Sequence, residues 1–518
     1  MNSASSHPVL SLDAAKRFEE ELFGGDEAKE WPAMQRAGRA VAAAVQNDFR
    51  ELAEFPPRPH ILVLAGKGHN GGDAFIAAQT LLTNHPYALA DLWLLFGEHA
   101  LRPLAARAYR ELVQSAPGRI RLIASTETLA SSYDLSLDGV FGFQFRPPLT
   151  AKLAANFSRL NAHPIRFRAA IDLPSGIGDN QALRADFTYA TGSVKAPALV
   201  APDRCIVGRL RYLDLGFWIQ GRADGPSSAA DNAEHCPYPQ STPERILTQK
   251  LLAPLRTLRA PQSDKRTYGH LFLLGGSRTY PGAIFMSALA AARSGVGLIT
   301  AFVPESLVSS FATRLPEVIW IGWPETPTGG LALEGFHLLR ERLDRANALL
   351  LGPGIAREPE TLALITDIVK TSPVPLVIDA DALQPEIIRT GSAPRILTPH
   401  AGEFARIVGN ATLLDFSRET HAVTVLKGPA TAISDGNAVY HSCHGGPVLA
   451  RGGSGDILAG LIGGLLAQQP TELLQAACRG VVWQGIAADL LARTNGQVAV
   501  QTTQILDHLA AALRNEGP

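Results

Sequence analysis

Residues 449–458 read LARGGSGDIL, in which four small residues, 452–455 (GGSG), stand before an apolar helix that we expect to begin at Asp456. Backbone N–H groups of such a turn, together with the positive end of the helix, form a seat for a phosphate. Asp456 beside that seat is suited to accept a proton from a hydroxyl group. An ordinary glycine-rich helix start, with Asp456 as its cap, is the alternative interpretation.

Length and charge restrict the class of protein. A chain of 518 residues predicts two or three domains, and two is the starting expectation. Lys plus Arg (47) nearly equals Asp plus Glu (48), so the composition predicts no nucleic-acid partner and favours a small molecule.

Cysteine usage and hydropathy bear on the compartment. The four cysteines lie far apart without a CxxC pair, which argues against a disulfide framework or structural zinc and fits a reducing cytoplasm. The N-terminus has no signal pattern and no apolar run reaches 18 residues, so we expect no membrane association.

The first half of the chain alternates between strand-like and helix-like segments, which predicts a mostly parallel sheet covered by helices. Helices are expected at 12–22, 32–52 and 73–83, a tight loop at 66–71, and strands at 60–65, 89–96, 120–124, 137–141 and 167–171.

The loop at 66–71 satisfies GxGxxG through Gly66, Gly68 and Gly71, which is typical of dinucleotide-binding Rossmann domains. A single match is weak evidence. The second strand also ends in residues 94–97 (LLFG) without the acidic residue that a hydride-transferring Rossmann domain uses, so that interpretation is an alternative only.

A further set of motifs in this half is more specific: NGGD at 70–73, Asp138, IDLPSG at 171–176 and TGSVK at 191–195. Their order and spacing resemble the NAD(P)HX epimerase domain, the YjeF N-terminal family, over residues 9–220. The resemblance implies a potassium site formed by Asn70, Asp138 and Ser175, and an acid/base role for Asp172. It also implies substrate contacts by Asn70, Gly71, Gly72 and Asp73.

The chain departs from this family's usual pattern at several positions, most visibly in residues 142–146 (GFQFR), where small residues are usual. Bulky Phe143 and Phe145 are expected to fill the pocket that would admit a dinucleotide. We therefore hypothesise that the epimerase activity is weakened or lost.

Residues 223–243 are rich in Gly, Pro, Ser, Ala and Asp and have no apolar period, which predicts a linker. The predicted domains are therefore 1–222 and 244–518.

The second half repeats the α/β alternation. Strands are expected at 270–274, 298–303, 348–351, 376–378, 395–397 and 423–426, and a helix from Pro281 to near Gly295. Polar or glycine-rich turns follow four strands: GPG at 352–354, DAD at 379–381, TPH at 398–400 and KGPAT at 427–431. Because ligands bind at the carboxyl ends of parallel strands, these turns are expected to line one crevice.

These turns, taken with GGS at 275–277, PGA at 281–283 and GGSGD at 452–456, resemble the ADP/ATP-dependent NAD(P)H-hydrate dehydratases. This YjeF C-terminal family has a ribokinase-like fold, and the resemblance covers residues 265–515. One departure is Ala356, where a Gly usually follows GPG. The whole chain resembles the bifunctional NAD(P)HX repair enzymes, so the expected fold class is α/β, with a Rossmann-like three-layer domain followed by a ribokinase-like domain.

The resemblance implies a role for each matching residue. Asp456 would be the general base, and Glu403 would help to order Mg²⁺-bound water. The hydrated dinucleotide would contact Ala283, Gly354 and His400. The nucleotide would be held by Lys427, Gly428, Pro429, Ala430, Thr431 and Gly455.

The expected function is nucleotide-dependent dehydration of (6S)-NAD(P)HX with release of phosphate, together with epimerisation of the R and S hydrates if the first site is active. The implied partners are NAD(P)H hydrates and ADP or ATP, with Mg²⁺ and K⁺, in a homo-oligomer of unknown size. A vitamin or sugar kinase with the same fold and a nucleotide-sensing scaffold remain alternatives. The sequence leaves open the preferred nucleotide and the preferred hydrate.

Overall fold

The computed structural model describes residues 5–200, 204–218 and 243–514. They form two compact units. One contains the described residues of His7–Thr242 with Arg493–Gly496, and the other contains those of Pro243–Ala492 and from Gln497 onward, with the residues before His7. The predicted linker, except Pro243, lies outside the described residues. No helix in the described ranges is both long and apolar enough to cross a bilayer.

The elements before residue 219 alternate as expected for an α/β protein. The strands are β1 (Ser6–Leu10), β2 (His60–Ala65), β3 (Leu89–Leu94), β4 (Ile120–Ile123), β5 (Tyr133–Gly139), β6 (Ile165–Ile171), β7 (Phe187–Thr191), β8 (Val194–Lys195) and β9 (Arg209–Leu213). The helices are α1 (Leu12–Phe23), α2 (Glu27–Phe49), α3 (His69–Asn84), α4 (Pro103–Ser115), α5 (Ala151–Ala162) and α6 (Arg204–Val207).

Seven of these strands form one parallel sheet in the order β4-β3-β2-β5-β6-β7-β9. Successive residues of β2 face opposite sides of it. Ile61 and Val63 belong to one apolar core, and Leu62 and Leu64 belong to the other. A strand buried on both faces must be apolar throughout, which is why residues 60–65 (HILVLA) lack alternation.

The second unit has the same construction. Its strands are β10 (Glu244–Leu247), β11 (His270–Leu274), β12 (Leu298–Pro304), β13 (Ile319–Trp323), β14 (Ala348–Leu351), β15 (Leu376–Ile378), β16 (Arg395–Leu397), β17 (Val423–Leu426), β18 (Thr431–Ser434) and β19 (Val439–Ser442). The helices are α7 (Pro281–Arg293), α8 (Glu305–Arg314), α9 (Phe336–Arg340), α10 (Pro359–Thr371), α11 (Pro385–Ile388), α12 (Ala401–Val408), α13 (Leu413–Thr420), α14 (Ser454–Gln468), α15 (Leu473–Asn495) and α16 (Leu509–Arg514).

Within this unit the strand order is β13-β12-β11-β14-β15-β16-β17-β18-β19-β10. The strands from β13 to β17 run parallel to their neighbours, and β18 is antiparallel to both β17 and β19. Leu271 and Leu273 of β11 lie in one core, and Phe272 and Leu274 lie in the other. The predicted α/β class is confirmed.

Several predicted boundaries were wrong. The helix predicted to begin at Asp456 begins at Ser454, and α3 begins at His69, so all four residues of NGGD lie in a helix. Helix α2 begins five residues before its predicted start, because the Asp26 carboxylate accepts the Ala28 N–H (2.9 Å) and so caps the helix ahead of Pro32. Sequence analysis omitted the short strands β1, β7 to β10, β13, β18 and β19.

Helix α14 packs closely on α7 at Gly460. An added Cβ at Gly460 would lie 2.1 Å from the carbonyl oxygen of Ser287, which is fixed in α7. At Gly463, on the same helix, an added Cβ would lie 3.3 Å from the flexible end of Leu271. The close contact between the two helices therefore requires a residue without a Cβ at position 460.

We expect Gly460→Ala to lower the free energy of unfolding by about 1–3 kcal/mol, because one helix must move away from the other. Thermal unfolding monitored by circular dichroism measures this effect. Gly463→Ala is the matched control and should stay within about 1 kcal/mol of the natural protein, since Ala also favours the helix. Equal effects of the two substitutions would contradict this account of the packing.

Candidate functional site

The carboxyl ends of β14 to β17 lie side by side at one edge of the second sheet, as expected for parallel strands. Backbone hydrogen bonds continue across the turns beyond the strands. Asp379 N donates to Leu351 O (3.0 Å), Thr398 N to Ile378 O (3.2 Å), and Lys427 N to Pro399 O (2.9 Å). The turns DAD, TPH and KGPAT are thus fixed next to one another.

An ion pair connects two of these turns. Lys427 Nζ donates to Asp379 Oδ1 (3.0 Å), and Thr398 Oγ1 donates to the same oxygen (2.7 Å). The side chain of Asp379 is 2% exposed. Burial by itself lowers the pKa of Lys427, but the negative charges of Asp379 and Glu403 outweigh that effect and raise the pKa. Lys427 is therefore held as a cation at the edge of the sheet.

Asp456 lies in the first turn of α14, within the electrostatic reach of this pair. Burial and the charge of Asp379 raise the pKa of Asp456 to about 6, while Lys427 acts in the opposite direction. A carboxyl group with such a pKa is ionised at neutral pH and remains basic enough to take a proton.

Gly455 lies directly against Lys427. A Cβ at Gly455 would be 3.0 Å from Lys427 Nζ, so a larger residue would displace the ammonium group. The N-cap of α14, Gly453, has φ +91°, a conformation that favours glycine. The first N–H groups of α14 have no partners within the helix and provide the positive end that binds anions.

The residues expected to contact the dinucleotide lie in two places. Gly354 and Ala283 are neighbours, because a Cβ at Gly354 would be 3.1 Å from Ala283 Cβ. His400 is the N-cap of α12, where its Nδ1 accepts the N–H groups of Gly402 (3.0 Å) and Glu403 (3.2 Å). This cap assigns the ring proton to Nε2, on a side chain that is 60% exposed.

Ala356 departs from the family's usual Gly, and its φ is +63°, in the left-handed region. The position therefore demands a conformation that glycine adopts without cost and alanine adopts with strain.

The N-terminal unit contains a cavity of about 390 Å³ at the carboxyl ends of its strands. The cavity is lined by Asn70, Asp73 and Asp172, by Glu19 and Lys195, and by an aromatic wall that includes Phe143 and Phe145. The expectation that these two rings fill the pocket was wrong. Phe145 stacks on Phe141 (4.8 Å between ring centroids), and Phe143 packs against the Lys195 ammonium (5.4 Å), so the rings form a wall and leave the cavity open.

Asp172 is 5% exposed and has φ +67°, which is uncommon for a residue other than glycine. Its carboxylate accepts a hydrogen bond from Lys195 Nζ, which is also buried. A left-handed residue with a buried ionic partner is a strained arrangement of the kind that occurs at functional sites.

The three predicted potassium ligands lie together. Ser175 Oγ and N donate to the two carboxylate oxygens of Asp138 (2.6 and 2.8 Å), and Asn70 Nδ2 donates to the carbonyl oxygen of Phe141 (2.8 Å). The same carbonyl oxygen lies 3.4 Å from Ser175 Oγ. Burial raises the pKa of Asp138 to about 6. A buried carboxylate with hydroxyl, amide and carbonyl oxygens beside it fits a hard cation.

Sequence reasoning missed three side chains that the structure brings to these sites. Asp379 was quoted within DAD, and Lys195 within TGSVK, but neither received a role. Nothing in the sequence distinguished Glu19 from the other glutamates of α1. Among the glycines of the turn 428–431 and of the phosphate seat 452–455, Gly455 is the one at which an added Cβ would approach the Lys427 ammonium group (3.0 Å).

Comparisons with known proteins give one consistent result. The family model for NAD(P)H-hydrate dehydratase matches residues 271–511, and the model for the YjeF-related protein N-terminus matches residues 32–201. The bifunctional NAD(P)H-hydrate repair enzyme of Thermosynechococcus vestitus is 35% identical over 93% of this chain and 92% of its own length. That of Moorella thermoacetica is 32% identical, with the same coverage of both chains.

Among solved structures, the ADP/ATP-dependent NAD(P)H-hydrate dehydratase from Bacillus subtilis, co-crystallised with ATP/Mg²⁺, is 27% identical. It covers 52% of this chain and 96% of its own, with a TM-score of 0.45.

The two units and their strand-end sites define a two-domain α/β enzyme, in which a YjeF N-terminal domain precedes a domain of the NAD(P)H-hydrate dehydratase family. The chain belongs to the family of bifunctional NAD(P)H-hydrate repair enzymes.

The raised pKa of Asp456 also predicts a pH-dependent stability. In the unfolded chain Asp456 loses its proton near its ordinary pKa of 3.8, and in the folded protein near 6. The folded state therefore binds the proton more tightly, and rising pH costs stability between these values. Asp456→Asn should unfold at a higher temperature than the natural protein at pH 8, by about 2–4 °C after allowance for partial exposure, and the difference should vanish near pH 4.

Thermal unfolding of both proteins across this pH range measures the effect. Asp415→Asn, at an exposed position on α13, is the control and should show no such trend. A natural protein that is more stable than Asp456→Asn at pH 8 would refute the electrostatic assignment.

Proposed function

We propose that the C-terminal domain dehydrates (6S)-NAD(P)HX to NAD(P)H with ADP or ATP as the phosphoryl donor and with release of phosphate. The observation that carries this proposal is the meeting of Asp456, Lys427 and the positive end of α14 at one edge of the sheet. Phosphoryl transfer needs a base, a cation and an anion seat, and this edge offers all three.

The chemistry follows from the substrate. Hydroxide is a poor leaving group, so the hydroxyl at C6 of the hydrated ring is first phosphorylated. Asp456 takes its proton as the oxygen attacks the terminal phosphorus of the nucleotide. The lone pair of the ring nitrogen then expels phosphate, and loss of a proton from the neighbouring carbon restores the double bond.

The other residues of this domain bind and orient. Lys427 offers a point charge to the nucleotide phosphates, and Gly428 to Thr431 form the turn that follows, with open space around Gly428. Asp379 holds Lys427 in place. Ala283, Gly354 and the Nε2–H of His400 contact the hydrated dinucleotide.

Mg²⁺ is proposed to arrive with the nucleotide. Within the described part of the chain, no three His, Cys, Asp or Glu side chains converge into a metal site. Mg²⁺ commonly uses one or two carboxylates plus substrate phosphates. The negative charge of Glu403 acts on both Lys427 and Asp456, which supports Glu403 as the carboxylate that helps to order Mg²⁺-bound water. Bound Mg²⁺ would neutralise negative charge on the transferred phosphoryl group.

We propose that the N-terminal domain epimerises the R and S hydrates, with Asp172 as an acid/base and K⁺ held by Asn70, Asp138 and Ser175. The open cavity supports activity rather than the weakening expected from Phe143 and Phe145. Asn70 to Asp73, at the start of α3, would contact the substrate. The two activities together would convert both hydrates to the intact cofactor.

The proposed setting is the cytoplasm, and the proposed assembly is a homo-oligomer.

Asp456→Asn should lower dehydratase turnover by about 100-fold or more, because the base is lost, and leave nucleotide binding nearly unchanged, because Lys427 and the helix end remain. In the natural protein, kcat should rise with pH through about 6 as Asp456 ionises. The assay follows regained absorbance of the reduced dinucleotide together with released phosphate, and Asp415→Asn is the control.

Near-normal turnover by Asp456→Asn would refute the role of this residue as the base. A phosphorylated product without phosphate release would instead identify a kinase.

Asp172→Asn should lower conversion of the R hydrate to the S hydrate by about 100-fold in the full chain, measured without nucleotide so that no dehydration intervenes. Dehydration of the S hydrate after addition of ATP should remain normal, which controls for folding of the second domain. Unchanged conversion would refute the assignment, and a natural protein that converts no faster than buffer would support a lost epimerase.

A further inference from the structure

Glu19 is a carboxyl group in the N-terminal cavity with no described partner. It lies on α1 and lines the cavity together with Asp73, Asp172 and Lys195. Across the described ranges it has no hydrogen bond or ion pair, whereas its neighbour Glu20 points to solvent and pairs with Lys16 (3.7 Å). An unpaired glutamate that faces a cavity of about 390 Å³ is available to a ligand.

The buried charged groups of this cavity do not balance, because its other cations, Lys67, Arg102 and Arg146, are exposed. Lys195 is the cation buried there, and it forms an ion pair with Asp172. Two further carboxyl groups, Glu19 and Asp73, remain without a cation of their own. Because isolated buried charges are costly, protons stay on these groups.

The two groups differ in how firmly they hold the proton. Burial raises the pKa of Glu19 to about 7, with Lys195 opposing and with Asp172 and Glu30 adding to the rise. Burial and the same negative charges raise the pKa of Asp73 well above its ordinary value. Asp73 is therefore suited to donate a hydrogen bond, and Glu19 to give up and regain a proton near neutral pH.

The remaining charged groups that face Glu19 come from neighbouring elements. Glu30 of α2 lies 3.4 Å from His69 Nε2, at the start of α3. Lys67, Arg102 and Arg146 line the cavity as well. Arg146 is paired with Asp13, also on α1. Within the described part of the chain, these groups bring no cation within 4 Å of the Glu19 carboxylate.

We propose that Glu19 is the second proton-transferring group of the N-terminal site, donating a proton to the ring nitrogen of the hydrate while Asp172 accepts the hydroxyl proton. This inference rests on the proposed epimerisation. It extends the site beyond the segment matched by the N-terminal family model, residues 32–201, to helix α1.

The substrate carbon bears both a hydroxyl and the ring nitrogen, so it can open to an aldehyde. Asp172 takes the hydroxyl proton, the C6–N1 bond breaks with its electron pair moving to N1, and N1 takes the proton of Glu19. The C6–O bond becomes a carbonyl. Rotation about C5–C6 presents the opposite face, and ring closure returns both protons, so no oxidant or other reactant is needed.

The test is the pH dependence of R-to-S conversion by the full chain without nucleotide, corrected for the rate in buffer. Because Glu19 must be protonated to donate, kcat of the natural protein should fall as pH rises through about 7. Glu19→Gln should lower kcat by about 100-fold and abolish this decrease of kcat with rising pH. Glu19→Asp keeps a carboxyl group and should restore part of the rate. The pH at which kcat falls should differ from that of the natural protein.

Glu20→Gln, on the exposed side of α1, is the matched control and should keep both the rate and its pH dependence. Dehydration of the S hydrate with ATP reports the integrity of each preparation. Unchanged rate and pH dependence in Glu19→Gln would overturn the inference. If Glu19→Gln does not fold, an unaltered pH profile in Glu19→Asp would overturn it. A natural protein without conversion above buffer would instead overturn the proposed epimerisation.

Discussion

The ion pair between Lys427 and Asp379 is the interaction on which the C-terminal site depends. It joins the ends of β15 and β17, and Thr398 from the strand between them donates to the same carboxylate. The pair also sets the electrostatics of its surroundings, since Asp379 raises and Lys427 lowers the pKa of Asp456. Gly455 permits this arrangement because any side chain there would press on the Lys427 ammonium.

The N-terminal unit repeats this arrangement with different residues. Lys195 and Asp172 form a buried pair at the ends of parallel strands, and Glu19 stands beside them with a raised pKa, as Asp456 does in the other unit. In each unit one lysine faces more than one carboxyl group. A surplus of buried carboxyl groups keeps one of them able to exchange protons near neutral pH.

Strands buried on both faces were predictable because a short, continuous apolar run bounded by turns is typical of the strands of a parallel sheet. Residues 270–274, 348–351, 376–378, 395–397 and 423–426 are strands with the expected bounds. Strands such as β13 and β18 were missed, since short or partly exposed strands carry little pattern. Helix α3 begins at His69, inside the predicted loop, because its glycines serve packing and do not terminate the helix. The order and spacing of the motifs singled out Asp456 and Asp172, and their roles stay predictions.

The sequence by itself determined the two-domain α/β class, the family, and the turns that end the strands, because these depend on local apolar pattern and motif order. Only the tertiary structure decided which charges meet. Asp379 and Lys427 are 48 residues apart, and Glu19 on helix α1 lines the same cavity as Asp172 and Lys195, which follow or end strands far along the chain. Pairing and burial of charges depend on through-space distance and local dielectric, and neither quantity is written in the spacing of residues along a chain.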